Sequence, residues 1–247
     1  MQGFGIASFG ELYAGQYDAR LHPAMESETK DSVEVLAELA GGGRVLELAI
    51  GTGRVAIPLA ERGLDVHGIE ASKEMVAKLR EKPGGAAIPV TIGDMADVGV
   101  DGEFKLVFLV FNTIFNLTSQ EAQVRLFDNV SRRLTADGVF VVETFVPEWE
   151  LSGFIKHKAV RGTRATNDSA GFEVVEHDPV AQTLDYQRVF ATAKGTQLAP
   201  LAMRYAYPGE LDLMARLAGL SLRDRWGWWD RSPFTADSMR HVSVYAR

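Results

Sequence analysis

The sequence predicts an α/β fold: a doubly wound, mainly parallel sheet with a β-rich segment inserted after its fifth strand. Three observations carry this. Short apolar runs alternate with stretches of helical period between residues 44 and 143, as strands joined by crossover helices do. One junction, Val45-Leu46-Glu47-Leu48-Ala49-Ile50-Gly51-Thr52-Gly53-Arg54, runs from an apolar segment through Gly-Thr-Gly into a helical pattern at Val55, Ile57, Leu59 and Ala60. Glycines there allow positive φ and close approach of a ligand, and the helix start offers free N–H groups. Finally, Ala49, Glu70, Asp94, Asn112 and Glu143 all fall at the expected carboxyl ends of strands, the edge where such sheets hold ligands.

Taken in order, Phe9, Leu12, Tyr13 and Tyr17 have the spacing of one helix face, and residues 28–40 form an amphipathic pattern stopped by Gly41-Gly42-Gly43. Residues 1–40 are therefore expected to be a helical lid. Strand one is expected at 44–49 with its helix at 53–62, and strand two from Asp65 to Glu70. Ser72 is the expected N-cap of a helix at 73–81, with Glu74 in its first turn. Strand three is expected at 88–92. Strand four, Phe104 to Phe111, is nearly all apolar and so central. A helix at 119–134, a turn at Asp137-Gly138 and strand five from Val139 to Glu143 follow.

After Pro147 the helical period is lost. Stretches 158–166, 171–177, 183–193 and 198–207 read as antiparallel strands of a cap, so residues 151–207 are assigned to an insertion. Residues 41–150 and 208–247 form the sheet domain, closing with a helix from Pro208 to Ala218 and strands at Leu220–Trp226 and His241–Tyr245. Tyr186 and Arg188 are read as facing opposite sides of one cap strand. Trp226, Trp228 and Trp229 are read as a buried seam between the last strands and the cap, with walling of a substrate pocket as the alternative.

Composition narrows the function. Of 247 residues, 46% are hydrophobic and 24% charged, an ordinary globular balance. A net charge of −7 argues against nucleic-acid and anionic membrane surfaces. With no cysteine, disulfides, thiolate zinc sites and cysteine nucleophiles are excluded. Five scattered histidines without an HxxxH pair make a metal site unexpected. No apolar run approaches the roughly 18 residues of a membrane helix, and Met1-Gln2-Gly3-Phe4 does not open a signal peptide; a cytoplasmic location is expected.

Gly51-Thr52-Gly53-Arg54-Val55-Ala56 fits the dinucleotide pattern GxGxxA, with Glu70 at about the right distance. An NAD-dependent oxidoreductase is therefore one reading. Four features oppose it. A helical segment precedes the motif, and no second half of the same fold follows strand five. Glu47 stands where it can meet a cationic amino-acid end, and Asp94 where it can meet an adenine amine. With these residues in view, the chain resembles the class I S-adenosylmethionine-dependent methyltransferases over residues 10–145 and again over 208–247. Glu47 to Gly53 corresponds to that family's first motif, with Glu47 in place of Asp and Ala49 in place of the first Gly. The Tyr13…Tyr17-Asp18 segment and the β-rich insertion are similar to bacterial small-molecule enzymes, aminosugar N,N-dimethyltransferases among them.

The resemblance implies a Rossmann-like seven-stranded methyltransferase sheet and S-adenosyl-L-methionine as cofactor. It implies that Glu70 accepts the ribose hydroxyls, that Gly93, Asp94 and Met95 flank the adenine, and that residues 111–116, with Phe111, Asn112 and Asn116, line the methyl-transfer opening. Tyr13, Tyr17, Glu47, Ala49, Gly51, Gly53, Arg54, Ala71 and Met75 complete the expected cofactor site. Glu143, His157 and Tyr17 are the catalytic candidates. The expected acceptor is a small molecule, first an amine nitrogen, with O-methylation using His157 or Glu143 as base, or a peptide amine, as alternatives. A non-catalytic binding module and a homodimer through an open cap-sheet edge also stay open.

Overall fold

A computed structural model describes residues 5, 7–18, 23–147 and 158–247. Two helices come first, α1 (Ser8–Tyr13) and α2 (Pro23–Ala40). The alternating region comes next: β1 (Val45–Leu48), α3 (Ala56–Glu61), β2 (Val66–Glu70), α4 (Lys73–Glu81), β3 (Val90–Ile92), β4 (Phe104–Leu109), α5 (Gln120–Arg133) and β5 (Leu134–Phe145). Four long strands make the cap: β6 (Lys158–Ala165), β7 (Ser169–Asp178), β8 (Thr183–Thr192) and β9 (Gly195–Arg204). The chain closes with α6 (Pro208–Leu217), β10 (Ser221–Trp226) and β11 (Arg240–Ala246).

The main sheet has seven strands in the order β10-β11-β5-β4-β1-β2-β3, and the cap is a separate antiparallel sheet ordered β6-β7-β8-β9. Strands β3, β2, β1, β4 and β5 run parallel, while β11 is antiparallel to both its neighbours. The order turns back between β1 and β4, which opens a crevice above their carboxyl ends. Strand β4 is fourth of seven and its burial is nearly continuous, because helices cover both faces of a parallel sheet.

Side chains alternate between two cores. Leu46, Leu48, Val107, Leu109, Phe140 and Val142 join one; Val45, Leu106, Phe108, Val139 and Val141 join the other. Cap residues Val175, Leu184, Tyr186, Leu201 and Met203 belong to the first core, beside Phe115 and Phe145. The cap is thus packed into the body. A buried polar cluster fastens it further: Arg204 donates to Gln123 at 2.6 Å, to Gln182 at 2.8 Å and to Glu210 at 2.7 Å, joining β9 to α5 and α6.

Several expectations change in detail. Ser72 does cap α4, accepting from the Met75 N–H at 3.2 Å. The Asp137-Gly138 turn is a bulge inside β5: Leu134 pairs with Phe104 and Val139 with Leu106, so the residues between are extra to the ladder. Helix α1 ends at Tyr13 and tightens into a 3-10 turn over Ala14–Gln16, which changes the phase. Within α1 itself Leu12 is exposed while Tyr13 is buried, so the two do not share one packed face. Trp229 is buried in the core that excludes the cap, with Trp226 and Trp228 packed against it; the tryptophans form a seam, but not with the cap. No helix among the described residues is long and apolar enough to cross a membrane.

Candidate active site

A cavity of about 520 Å³ opens between the carboxyl ends of the parallel strands and the cap, a volume in the range of small-molecule sites. Its floor includes Ala49, Gly51, Glu70, Ala71, Gly93, Asp94 and Met95. Phe111, Asn112 and Asn116 line it from the loop after β4, and Gly10, Tyr17 and Met75 from the N-terminal side. Eleven of the candidate cofactor residues thus share one space with Tyr17, a candidate for both binding and catalysis.

The floor is shaped by backbone geometry. Gly51 and Gly53 take positive φ, and so does Ala49 at +55°. At Gly53 the φ of +79° strains any side chain, and a Cβ would also lie 2.2 Å from Leu79 Cδ1 of α4, so the turn favours glycine. Glu70 secures the loop: one oxygen accepts from the Gly51 N–H at 2.9 Å and the other from the Ser72 N–H at 2.9 Å. Burial raises the Glu70 pKa, opposed by these N–H bonds. Asp94 accepts from the Ala96 N–H at 2.9 Å, and Arg125 stands 3.6 Å from its second oxygen.

The opposite side of the crevice is strained and braced. Phe111 and Asn112 are consecutive non-glycine residues with φ of +62° and +60°, a conformation that persists only when its surroundings enforce it. Glu143 accepts from the Phe111 N–H at 3.2 Å and from Trp229 Nε1 at 3.3 Å, while Asn112 Oδ1 accepts from the Phe145 N–H at 2.6 Å. The expectation that Glu143 faces the cleft is not met. It is not among the residues lining the cavity; its carboxylate is turned to the loop backbone and to Trp229. Burial raises its pKa.

Four further candidates lie off the cavity wall. Gly53 is part of the turn behind it. Tyr13 is buried in a small cluster with Met75 and Ala199. Arg54 donates to Thr29 Oγ1 at 2.6 Å and lies over the Phe111 ring at 5.3 Å. Glu47 is buried, and its Oε2 has no hydrogen-bond partner. Burial pushes its pKa up to about 8, against the charge of Arg54 and the Ala56 N–H. His157 lies outside the described residues.

The cap adds residues that the sequence did not single out: Arg161, Glu173, Leu201 and Met203, with Met239 and Arg240 from the approach to β11. Tyr186 and Arg188 both line the cavity. The expectation that they face opposite sides is wrong, because residues two apart on a strand share a face. That periodicity was the available signal. No group of three or more metal-ligating side chains occurs among the described residues.

Known proteins match this arrangement. Residues 45–138 match a methyltransferase domain family. The CcbJ methyltransferase from Streptomyces caelestis is 34% identical in sequence, with a TM-score of 0.91 over 98% of this chain and 99% of its own. The cypemycin N-terminal methyltransferase of a Streptomyces species is 27% identical over 83% of this chain and 84% of its own. The dTDP-3-amino-3,6-dideoxy-alpha-D-glucopyranose N,N-dimethyltransferase of Streptomyces fradiae is 26% identical over 64% of this chain and 66% of its own. These matches, on a seven-stranded sheet with an antiparallel cap, decide against the oxidoreductase reading of the glycine motif. The chain belongs to the class I S-adenosylmethionine-dependent methyltransferases and uses S-adenosyl-L-methionine as its cofactor.

Proposed function

We propose that the chain methylates an amine nitrogen of a small molecule held beneath the cap. The observation that carries this is the placement of Glu143. This carboxylate, the candidate base among the described residues, is off the cavity wall and committed to the Phe111 N–H and the Trp229 indole. Tyr17 does line the cavity, but burial raises its pKa, so its phenolate is disfavoured as a base. An amine whose lone pair is free attacks without a base; a hydroxyl gains from one. Two of the relatives are named for methylation at nitrogen or at an N-terminus.

The residues fit the cofactor. Glu47 carries a buried, unpartnered carboxyl oxygen, and a cationic ammonium supplies the partner such a group lacks. Glu70, at the end of β2, keeps lone pairs for a ribose diol, and Asp94 has one for an adenine amine. Gly51 and Gly93 leave room for close approach. S-adenosylmethionine, once bound, supplies the electrophilic methyl group. The chain's part is to desolvate and orient: Phe111 offers an aromatic face to a cation, and Tyr17 and Asn116 offer oxygens to the amine hydrogens. Positioning of this kind supplies most of the acceleration in a displacement.

The test is a panel of matched amines and alcohols, with S-adenosylhomocysteine release and product mass as readouts. Amines should be methylated and their alcohol twins not. The pH dependence of kcat/KM should rise to a plateau at the acceptor's own pKa, and move with it between acceptors. Faster turnover of the alcohols, or a profile fixed at one pH for every acceptor, would overturn the reading.

A further inference from the structure

The cap's contribution to the cavity is apolar except along one line. Strand pairing sets Arg161 opposite Glu173, Glu173 opposite Arg188, and Arg188 opposite Ala199. The four form a single row across all four cap strands. Val175, Tyr186 and Leu201 form the adjacent row on the same face. Glu173 is only 3% exposed. It accepts from Arg161 Nε at 2.7 Å and from Arg188 Nε at 3.3 Å. All three charged members line the cavity.

One carboxylate lies between two guanidiniums, in a chain whose net charge is −7. As a structural device such a triad has little to recommend it, since the Arg161 and Arg188 side chains are 40% and 36% exposed and ion pairs at that exposure contribute little. Its geometry suits another purpose. Arg188 uses Nε on Glu173 and has the Tyr186 ring 5.8 Å away. Among the described residues nothing holds its two terminal nitrogens. A guanidinium fixed in this way presents a flat fork that matches the two oxygens of a carboxylate or phosphate. Arg240 also lines the cavity, but it is engaged by Glu28 at 3.0 Å and stacked on Trp228 at 3.8 Å.

We infer that the Arg161–Glu173–Arg188 row binds an oxyanion, a carboxylate or phosphate, carried by the methyl acceptor. Glu173 acts as a positioning residue that aims both arginines. The inference rests on the reading that the acceptor lies beneath the cap. A second source of the same chemistry is the carboxylate of the cofactor itself, and the experiment separates the two.

The enzyme loaded with S-adenosylhomocysteine is titrated calorimetrically with inorganic phosphate, and separately with acetate, against potassium chloride at matched ionic strength. The native protein should bind at least one of them saturably, beyond the chloride control. Arg188→Gln should weaken that binding tenfold or more and leave S-adenosylhomocysteine affinity within twofold. Because this substitution leaves Glu173 with one partner, Arg188→Lys is the second variant: it keeps the charge, and should still lose most of the affinity with the fork. No saturable binding by the native protein, or binding by both variants as tight as the native protein's, would make the row a structural ion cluster. A tenfold loss of S-adenosylhomocysteine affinity in Arg188→Gln would give the oxyanion to the cofactor and overturn the inference. Failure of the amine preference in the acceptor panel would leave this titration standing, so the two readings fail separately.

Discussion

Glu70 serves two neighbours at once. Its oxygens accept from Gly51 and Ser72, so one side chain ties the glycine loop to the start of α4 and still faces the cavity. Replacing it by alanine removes a charged acceptor from the cofactor and strands two backbone donors. S-adenosylhomocysteine affinity should fall roughly 10- to 100-fold, from loss of about 1.5–3 kcal/mol of charge-assisted hydrogen bonding. Thermal stability should fall as well, because each stranded donor costs about 1–3 kcal/mol. Calorimetric titration of Glu70→Ala checks the first and thermal unfolding the second; unchanged affinity would remove Glu70 from the cofactor's contacts. Residues of this kind were legible in the sequence, because a strand end can be located from an apolar run and a glycine. Glu143 was legible only as a strand end. It is turned away from the cleft by Trp229, 86 residues later, and no local pattern conveys that. Ala49 shows the converse: the sequence marked it as a departure from glycine, and the structure gives it positive φ, where glycine would be unstrained.

Among the elements, α1 depends on one close approach. A Cβ on Gly10 would lie 2.3 Å from Ser72 Cβ and 2.9 Å from Met75 Cγ, so the helix seats on α4 through a bare backbone. Ser72 is itself buried and caps α4, so it has little room to yield. Gly10→Ala should therefore unseat α1 without disturbing the sheet. Limited proteolysis should show earlier cleavage near the N-terminus, and S-adenosylhomocysteine should bind several-fold more weakly, with the main unfolding transition unmoved. Native cleavage kinetics together with native affinity would show that α1 is no part of the closure. The elements themselves were largely readable: α4 spans Lys73–Glu81 as its cap and period predict, and the cap strands fall within a few residues of expectation. The first helix was the harder case. Its aromatic spacing suggested one face, but the 3-10 turn after Tyr13 rotates the residues beyond it. The ionic row was hidden for another reason: Arg161, Glu173 and Arg188 are neighbours only through strand register, which separate strand assignments do not supply.

For the molecule as a whole, two buried groups of opposite tendency set the pH range of stability. Burial pushes Glu47 up to about 8. Between pH 4.5 and 8 the folded chain keeps a proton that the unfolded chain has released, so stability falls as pH rises through this window. His241 is buried, bonded to Thr144 Oγ1 and Ser243 Oγ, each at 2.8 Å. Burial and the charge of Arg225 push it down to about 3. Between pH 3 and 6.5 the unfolded chain takes up a proton that the folded chain refuses, so stability falls as pH drops through that window. From pH 4.5 to 6.5 the two slopes oppose each other. Outside that overlap each acts alone, at about 1.4 kcal/mol per pH unit at most. Unfolding midpoints of the ligand-free protein should therefore peak between pH 4.5 and 6.5, with a loss of about 2 kcal/mol by pH 8 from Glu47. Burial raises Glu70 and Glu143 in the same direction, so they add to the fall in stability as pH rises above 4.5. Glu47→Gln removes the titration while keeping the shape, and should flatten that side while leaving the acid side intact. An alkaline slope equally steep in Glu47→Gln would show that Glu47 is already ionised in the folded protein, and that its unpartnered oxygen reaches water.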